Sequence, residues 1–226
     1  MKLAKDCIDI GIYTNHLEGM LEFWTETVGL PYDELLKAGG GVHQHRLQLN
    51  GSIFKLNHVR DPLPQSNPSG YRELFIAAKV SKEKALTDPE GNKVTLVPAG
   101  TYGVTNIGIR MTVRSLDAAR RFFADSLQAQ QLTDSSFRWG TTVFLLEEDK
   151  DAPLGGGMKG AGYRYITVQV FKVDNEHADA LERGALEGSA PVTLGSTARI
   201  SFITDPDNNW IEISQRKSLT GDLSAD

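Results

Sequence analysis

The chain has 226 residues, 40% hydrophobic and 23% charged, which suits one large or two small globular domains. A net charge of −5 argues against a nucleic-acid partner. No apolar run is long enough for a membrane span, no signal-peptide pattern opens the chain, and the single cysteine, Cys7, excludes an internal disulfide, so a cytoplasmic location is expected.

Ile8, Ile10 and Ile12 alternate with polar or small residues, the period of a half-buried strand. Asn15 followed by Glu18 has the spacing of a capping box. Leu17, Met20, Leu21, Trp24 and Val28 then recur at helical spacing. A hairpin is expected around Asn50-Gly51, a pair suited to the two positive-φ positions of a tight turn. That turn sets Arg46 opposite Lys55, Gln44 opposite Asn57, Gln48 opposite Ile53 and His43 opposite His58. A Pro/Gly-rich link (61–70), another strand and a D-P-E-G-N turn at Asp88 before a last strand complete the first half.

The second half repeats the pattern. Ile107, Ile109, Met111 and Val113 alternate, Ser115 is placed to cap a helix, and Leu116, Ala119, Phe123 and Leu127 follow at helical spacing. A hairpin in 136–148, a glycine-rich link, a further strand and a D-P-D-N-N turn at Asp205 come next. The order is β-α-β-β-β, written repeatedly. The second unit is abbreviated: 81–87 can hold a turn, but not the helix and strand that 174–204 can. The sheet edge left there invites a partner, and the other half of the chain or a second copy in a homodimer is expected to cover it.

The phrases FWTETVGL, DPEGNKVTLV and DPDNNWIEI, in this order, resemble the vicinal oxygen chelate superfamily, which includes glyoxalase I, extradiol dioxygenases and bleomycin-resistance proteins. The resemblance covers residues 5–215. It implies an α+β fold of tandem βαβββ modules forming two cupped antiparallel sheets with outer helices. It divides the chain into glyoxalase-like domains at 1–98 and 104–215 and a flexible tail at 216–226. It further implies a small oxygen-rich metabolite, either acted on by an enzyme of glyoxalase (lyase) or extradiol dioxygenase type or merely bound, as in bleomycin resistance. A divalent metal (Fe, Mn, Zn or Ni) would sit on side chains from first and last strands. Matched by spacing, the first-strand positions are Asp9, Phe75, Gly108 and Val168, and the last-strand positions are Lys55, Thr95, Leu145 and Glu212. Of these, Asp9 and Glu212 can ligate a metal, whereas Lys55 repels one, so the usual site is expected to be incomplete.

Strand alternation gives the candidate cup lining. Asp9, Tyr13, Gln44, Arg46, Gln48, Lys55 and Asn57 share a face in the first half; Asn106, Arg110, Trp210 and Glu212 share one in the second, with Arg110 placed to neutralise Glu212. Two cations, Arg46 and Lys55, favour an anionic or carbonyl-bearing ligand. If the first module pairs with the last, then Asp9, Lys55 and Glu212 meet and can perform acid–base chemistry without a metal. The alternative metal site is His43, His45 and His58, one face of the hairpin, although that face runs on into Leu47, Leu49, Phe54 and Leu56 and so points at the helix. His16 and His177 are read as exposed at helix starts. GGGMKGAG contains G-x-G-x-x-G (Gly155, Gly157, Gly160) without the strand and helix a nucleotide fingerprint needs, and is read as a mobile link that can lid the cup.

Overall fold

The computed structural model describes residues 1–223. The first module consists of β1 (Leu3–Thr14), α1 (Leu17–Glu22), a wider helical turn at Phe23–Thr27, β2 (Tyr32–Lys37), β3 (Val42–Leu49) and β4 (Ser52–Val59). The second has only β5 (Tyr71–Ala77), β6 (Lys84–Thr87) and β7 (Lys93–Val97). The third repeats the full pattern: β8 (Ile107–Val113), α2 (Leu116–Arg121) with a wider turn at Phe122–Ser126, β9 (Gln130–Thr133), β10 (Ser136–Trp139) and β11 (Thr142–Glu148). The fourth is β12 (Gly162–Val170), α3 (Val173–Glu182), β13 (Leu186–Leu194), β14 (Ala198–Thr204) and β15 (Trp210–Arg216), followed by a helical turn, α4 (Lys217–Thr220). The second module thus lacks the helix and one strand, as its short linker requires. Of the expected flexible tail, Lys217–Thr220 is helical and residues 224–226 lie outside the described residues.

The strands form two cupped sheets with the helices outside them. The eight-stranded sheet has the order β13-β14-β15-β12-β1-β4-β3-β2, and the seven-stranded sheet β6-β7-β5-β8-β11-β10-β9. The first module therefore shares a sheet with the last, and the second with the third; the strands of 1–98 are divided between both sheets. Nor are the sheets purely antiparallel. Within each module the first and last strands run parallel (β1 with β4, β5 with β7, β8 with β11, β12 with β15), and antiparallel seams join the modules at β1–β12 and β5–β8. The parallel pairs follow from topology, because each module returns to its starting strand after a crossover. The short, largely exposed β6 is the open edge that the lost chain leaves.

Alternation decides the core. Ile8, Ile10 and Ile12 are fully buried, and pack in one continuous cluster with Leu47, Phe54, Leu56, Ile107 and Ile109 from both sheets and with Met20 and Trp24 from the first helical segment. Trp24 stacks on Phe54 with ring centroids 4.0 Å apart. Each such side chain contributes roughly 1.5–3 kcal/mol on leaving water. The Asn50-Gly51 turn adopts the expected positive φ at both residues (48° and 89°), and every hairpin pairing from His43–His58 to Gln48–Ile53 is observed.

The two D-P turns are near copies. Asp88 Oδ1 accepts from the backbone N–H of Glu90 and Asn92, and Asp205 Oδ1 accepts from those of Asp207 and Asn209. In each case the asparagine side chain also donates back to the aspartate. Ser115 caps α2 through Ala118 N. Asn15 does not cap α1; its amide donates to Val59 O and Asp61 O and its oxygen accepts from Leu63 N, tying down the chain after β4. His177 is buried in α3 against Glu187 at 3.3 Å, while His16 is exposed. Among the described residues no helix is long and apolar enough to cross a membrane.

Candidate functional site

The face of the eight-stranded sheet opposite its core lines a cavity of 630 Å³. Period-two alternation brings Tyr13 of β1, Gln44 and Arg46 of β3, Lys55 and Asn57 of β4, Tyr165 of β12, and Glu212, Ser214 and Arg216 of β15 into it. Phe202, Ile200, Leu36 and Val42 supply apolar walls.

At the floor the first and last modules meet. Lys55 Nζ donates to Thr167 Oγ1 at 2.6 Å and to Glu212 Oε2 at 2.8 Å, and the Thr167 hydroxyl donates to Glu212 Oε2 at 2.6 Å. Lys55 also lies over the Tyr165 ring, 5.3 Å from its centroid. Thr167, not Val168, is the β12 residue on this face: it pairs with Asp9 and Glu212, while Val168 is in the core. The match by spacing was one residue out, and a one-residue slip changes the face.

A second polar layer lies beside the first. The Tyr165 ring covers Gly11, where a Cβ would lie 2.2 Å from Cε1. The Tyr165 hydroxyl accepts from Asn57 at 3.1 Å and from Gln44 at 3.3 Å; Gln44 also donates to Asn57 Oδ1, and Arg46 Nη1 donates to Gln44 Oε1. Arg46 Nε is 3.1 Å from Glu34 Oε1, an ion pair too poorly aligned to be a hydrogen bond. Burial and then the charge of Arg216 hold the Arg46 guanidinium below its ordinary value. Arg216 itself makes no ion pair among the described residues. Burial, with the Glu212 carboxylate adding to it, pushes the Tyr13 phenol up to about 12, and the same two causes raise Tyr165 well above the usual range. Both phenols are therefore protonated donors at neutral pH.

Other expected residues lie elsewhere. Asp9 is buried but accepts from Lys5 Nζ and Ile53 N, each at 2.8 Å, and does not join Lys55 and Glu212. Gln48 is exposed and faces Asp33. Trp210 shares the cup face but packs on Phe202 and donates to Gly156 O at 3.0 Å, fastening the glycine-rich segment whose Met158 and Lys159 line the cavity. Arg110 cannot neutralise Glu212, because it belongs to the other sheet, where it pairs with Glu73 and Glu147. Asn106 bonds Asn50 O at the contact between the sheets. His43, His45 and His58 sit on the outer face, with His45 held by the Tyr32 hydroxyl at 3.1 Å. The sequence reading missed Tyr165 and Thr167, which become visible once β12 is known to border β1, and Arg216, which it assigned to the tail.

The seven-stranded sheet has a smaller cavity of 420 Å³, lined by Glu73, Arg110, Thr112 and Glu147 among others. Phe75, Val97, Val104 and Val143 form an apolar cluster on its corresponding face, and Val104 lies so close to Gly108 that a Cβ there would be 2.6 Å away. The linker between modules thus fills one end of the second cup with the Val104 side chain.

The resemblance implies a divalent ion, and superfamily members typically use one, but these residues do not fit it. Among the described residues Glu212 is the one carboxylate lining the cavity, and its partner is an ammonium. The Lys55 ammonium cancels more than half of the Coulomb attraction that a dication would gain from Glu212, and no second carboxylate among the residues lining the cavity offsets the cost of stripping the ion of water. Among the described residues no group of three or more His, Cys, Asp or Glu converges to hold a metal.

Comparison with known proteins agrees with this fold. The model of the Glyoxalase/Bleomycin resistance protein/Dioxygenase superfamily matches residues 107–213. No curated protein matches the chain. Among solved structures, glyoxalase I from Zea mays superposes with a TM-score of 0.75 at 14% identity, over 96% of this chain and 96% of that one. A candidate dioxygenase from Bacillus subtilis subsp. subtilis str. 168 superposes with a TM-score of 0.67 at 12% identity, over 99% and 91%. At such identities the likeness is one of fold, and the sequence match relates residues 107–213, a little under half of the chain, to the Glyoxalase/Bleomycin resistance protein/Dioxygenase superfamily, the vicinal oxygen chelate group.

Proposed function

We propose that the cup of the eight-stranded sheet binds a small, oxygen-rich anion and acts on it by acid–base chemistry at Glu212. The observation that carries this reading is the cavity itself: Arg46 and Arg216 face it together, and its floor holds the Lys55–Glu212 pair. Two guanidiniums in one partly desolvated cavity repel each other, and an anion between them relieves that repulsion. The neutral Tyr13 hydroxyl suits a hydroxyl or carbonyl oxygen, and the apolar wall around Phe202 suits a carbon skeleton.

Thermal-shift and calorimetric titration with pyruvate, lactate, benzoate and glycerol phosphate tests the reading. Stabilisation by at least one of these anions that is lost in Arg216→Met and Arg46→Met supports it. Equal responses in wild type and both variants count against it. Incorporation of solvent deuterium into a bound anion, absent in Glu212→Gln, separates catalysis from binding alone.

A further inference from the structure

Lys55 stands on β4 in register with Gly11 of β1 and Arg46 of β3, so its side chain enters the middle of the cup floor. Its ammonium has three N–H donors. Thr167 Oγ1 and Glu212 Oε2 accept two of them, at 2.6 and 2.8 Å. No oxygen among the described residues accepts the third, and Lys55 lines the cavity. Glu212 is in the complementary state. Its Oε2 accepts from both Lys55 and Thr167, while its Oε1 accepts no hydrogen bond from the described residues. One open N–H and one open carboxylate oxygen therefore belong to neighbouring side chains at the floor of the same cavity.

We propose that Lys55 supplies, from within the chain, the fixed positive charge that a divalent ion would otherwise provide at this floor, so that the cup works without one. This rests on the reading of the cup as the ligand site. A carbonyl oxygen of the ligand takes the third N–H of Lys55, and Glu212 Oε1 takes a proton from the adjoining carbon. The electron pair of the broken C–H bond becomes the C=C bond of an enolate as the carbonyl π pair moves onto oxygen. That oxygen stays on the ammonium. Return of the proton from Glu212 restores the carbonyl and the carboxylate, so the net change is exchange or inversion at that carbon, and no oxidant or co-reactant is consumed. The ligand class is therefore a small acid with a carbonyl group next to an acidic C–H, its charge held by Arg46 and Arg216.

The test uses the full-length protein and the metals alone. Elemental analysis of the purified chain, with Mn²⁺ titration followed by electron paramagnetic resonance and Zn²⁺ titration by calorimetry, is expected to find no stoichiometric ion, and no difference between wild type and Glu212→Gln. Lys55→Glu, which places a second carboxylate beside Glu212, is expected to bind Mn²⁺ about tenfold more tightly than wild type or more, since affinity follows the charge count of the ligands. Lys55→Gln serves where Lys55→Glu fails to fold, and is expected to bind Mn²⁺ more tightly than wild type by a smaller margin. One Mn²⁺, Zn²⁺, Ni²⁺ or Fe²⁺ per wild-type chain, lost in Glu212→Gln, overturns the proposal. So does a folded Lys55 variant of either kind whose Mn²⁺ affinity equals that of wild type. Failure of every anion to bind would instead defeat the reading of the cup as a ligand site and leave the metal result as it stands.

Discussion

Lys55 and Glu212, 157 residues apart in sequence, form a hydrogen-bonded ion pair at 2.8 Å that joins the first module to the last. Lys55 is nearly inaccessible and Glu212 keeps slight exposure. Removing one partner leaves the other buried without compensation, which costs far more than the pair contributes. Lys55→Met is expected to destabilise the fold by roughly 3 kcal/mol, the low end for a buried pair because Glu212 retains some solvent. Lys55→Met combined with Glu212→Leu is expected to recover most of that loss. Urea unfolding of both variants and of Glu212→Leu alone, at neutral pH, gives the coupling. Additive losses in the double variant would show that the two residues act independently.

How far the sequence carries this site depends on the range of the contacts involved. The β3–β4 register follows from a two-residue turn, so Arg46, Lys55, Gln44 and Asn57 were legible on one face from local chemistry alone. Which modules share a sheet was not, because nothing in a repeated β-α-β-β-β pattern says which copy its first strand will border. Alternation within each half puts Arg110 and Glu212 in one cup, whereas their strands lie in different sheets. Thr167 was missed by one position, since spacing within a strand has no tolerance for a slip of one residue. Asn15 shows a different limit: its capping-box spacing is real, yet tertiary contacts with Val59, Asp61 and Leu63 take its side chain. His177 was read as exposed because an amphipathic helix in isolation does not announce that a strand, here β13 with Glu187, covers that face.

Gly11 matters for space. With a Cβ, residue 11 would collide with the Tyr165 ring, which sits there in order to accept from Asn57 and Gln44. The ring cannot retreat without losing those bonds and its contact with the Lys55 ammonium. Gly11→Ala is expected to cost roughly 1–3 kcal/mol of stability by overpacking, and to weaken anion binding in the cup as well. Tyr165→Leu, which removes the ring, is expected to make the additional alanine nearly neutral for stability. Denaturant midpoints of the two single variants and the double check this; an equal penalty for Gly11→Ala with and without the ring would rule out the proposed collision.

Gly108 makes the same kind of argument for the other sheet. Val104 of the linker fills the position a side chain there would need. Val104→Ala opens space among Phe75, Val97 and Val143, and is expected to destabilise by about 1–3 kcal/mol through the lost apolar contacts and the cavity left behind. Anion binding in the first cup should be unchanged, because Lys55, Glu212, Arg46 and Arg216 all belong to the eight-stranded sheet. Loss of anion binding in Val104→Ala would locate the ligand in the wrong cup.

The closing turn predicts how stability responds to pH. Asp205 is buried, and burial pushes its carboxyl up to about 6 from an ordinary 3.8, despite the hydrogen bonds it accepts from Asn209 and Asp207. A group with a raised folded-state value holds its proton more tightly in the folded chain than in the unfolded one. Its contribution to stability is therefore fully present below about 3.8 and is lost as the pH rises through about 6. A shift of this size corresponds to about 3 kcal/mol as an order of magnitude. Asp88, in the equivalent turn, is raised by the same cause and acts in the same direction. Asp205→Asn removes the titrating group, so the stability difference between wild type and variant should move in favour of wild type as the pH falls from 7 to 4, by up to ~3 kcal/mol. The comparison must be made as a difference, because other carboxylates titrate over the same range and cancel only between the two chains. Urea unfolding at several pH values measures it. A difference that stays constant from pH 4 to 7 would mean that Asp205 is charged throughout, with its three donors outweighing the burial.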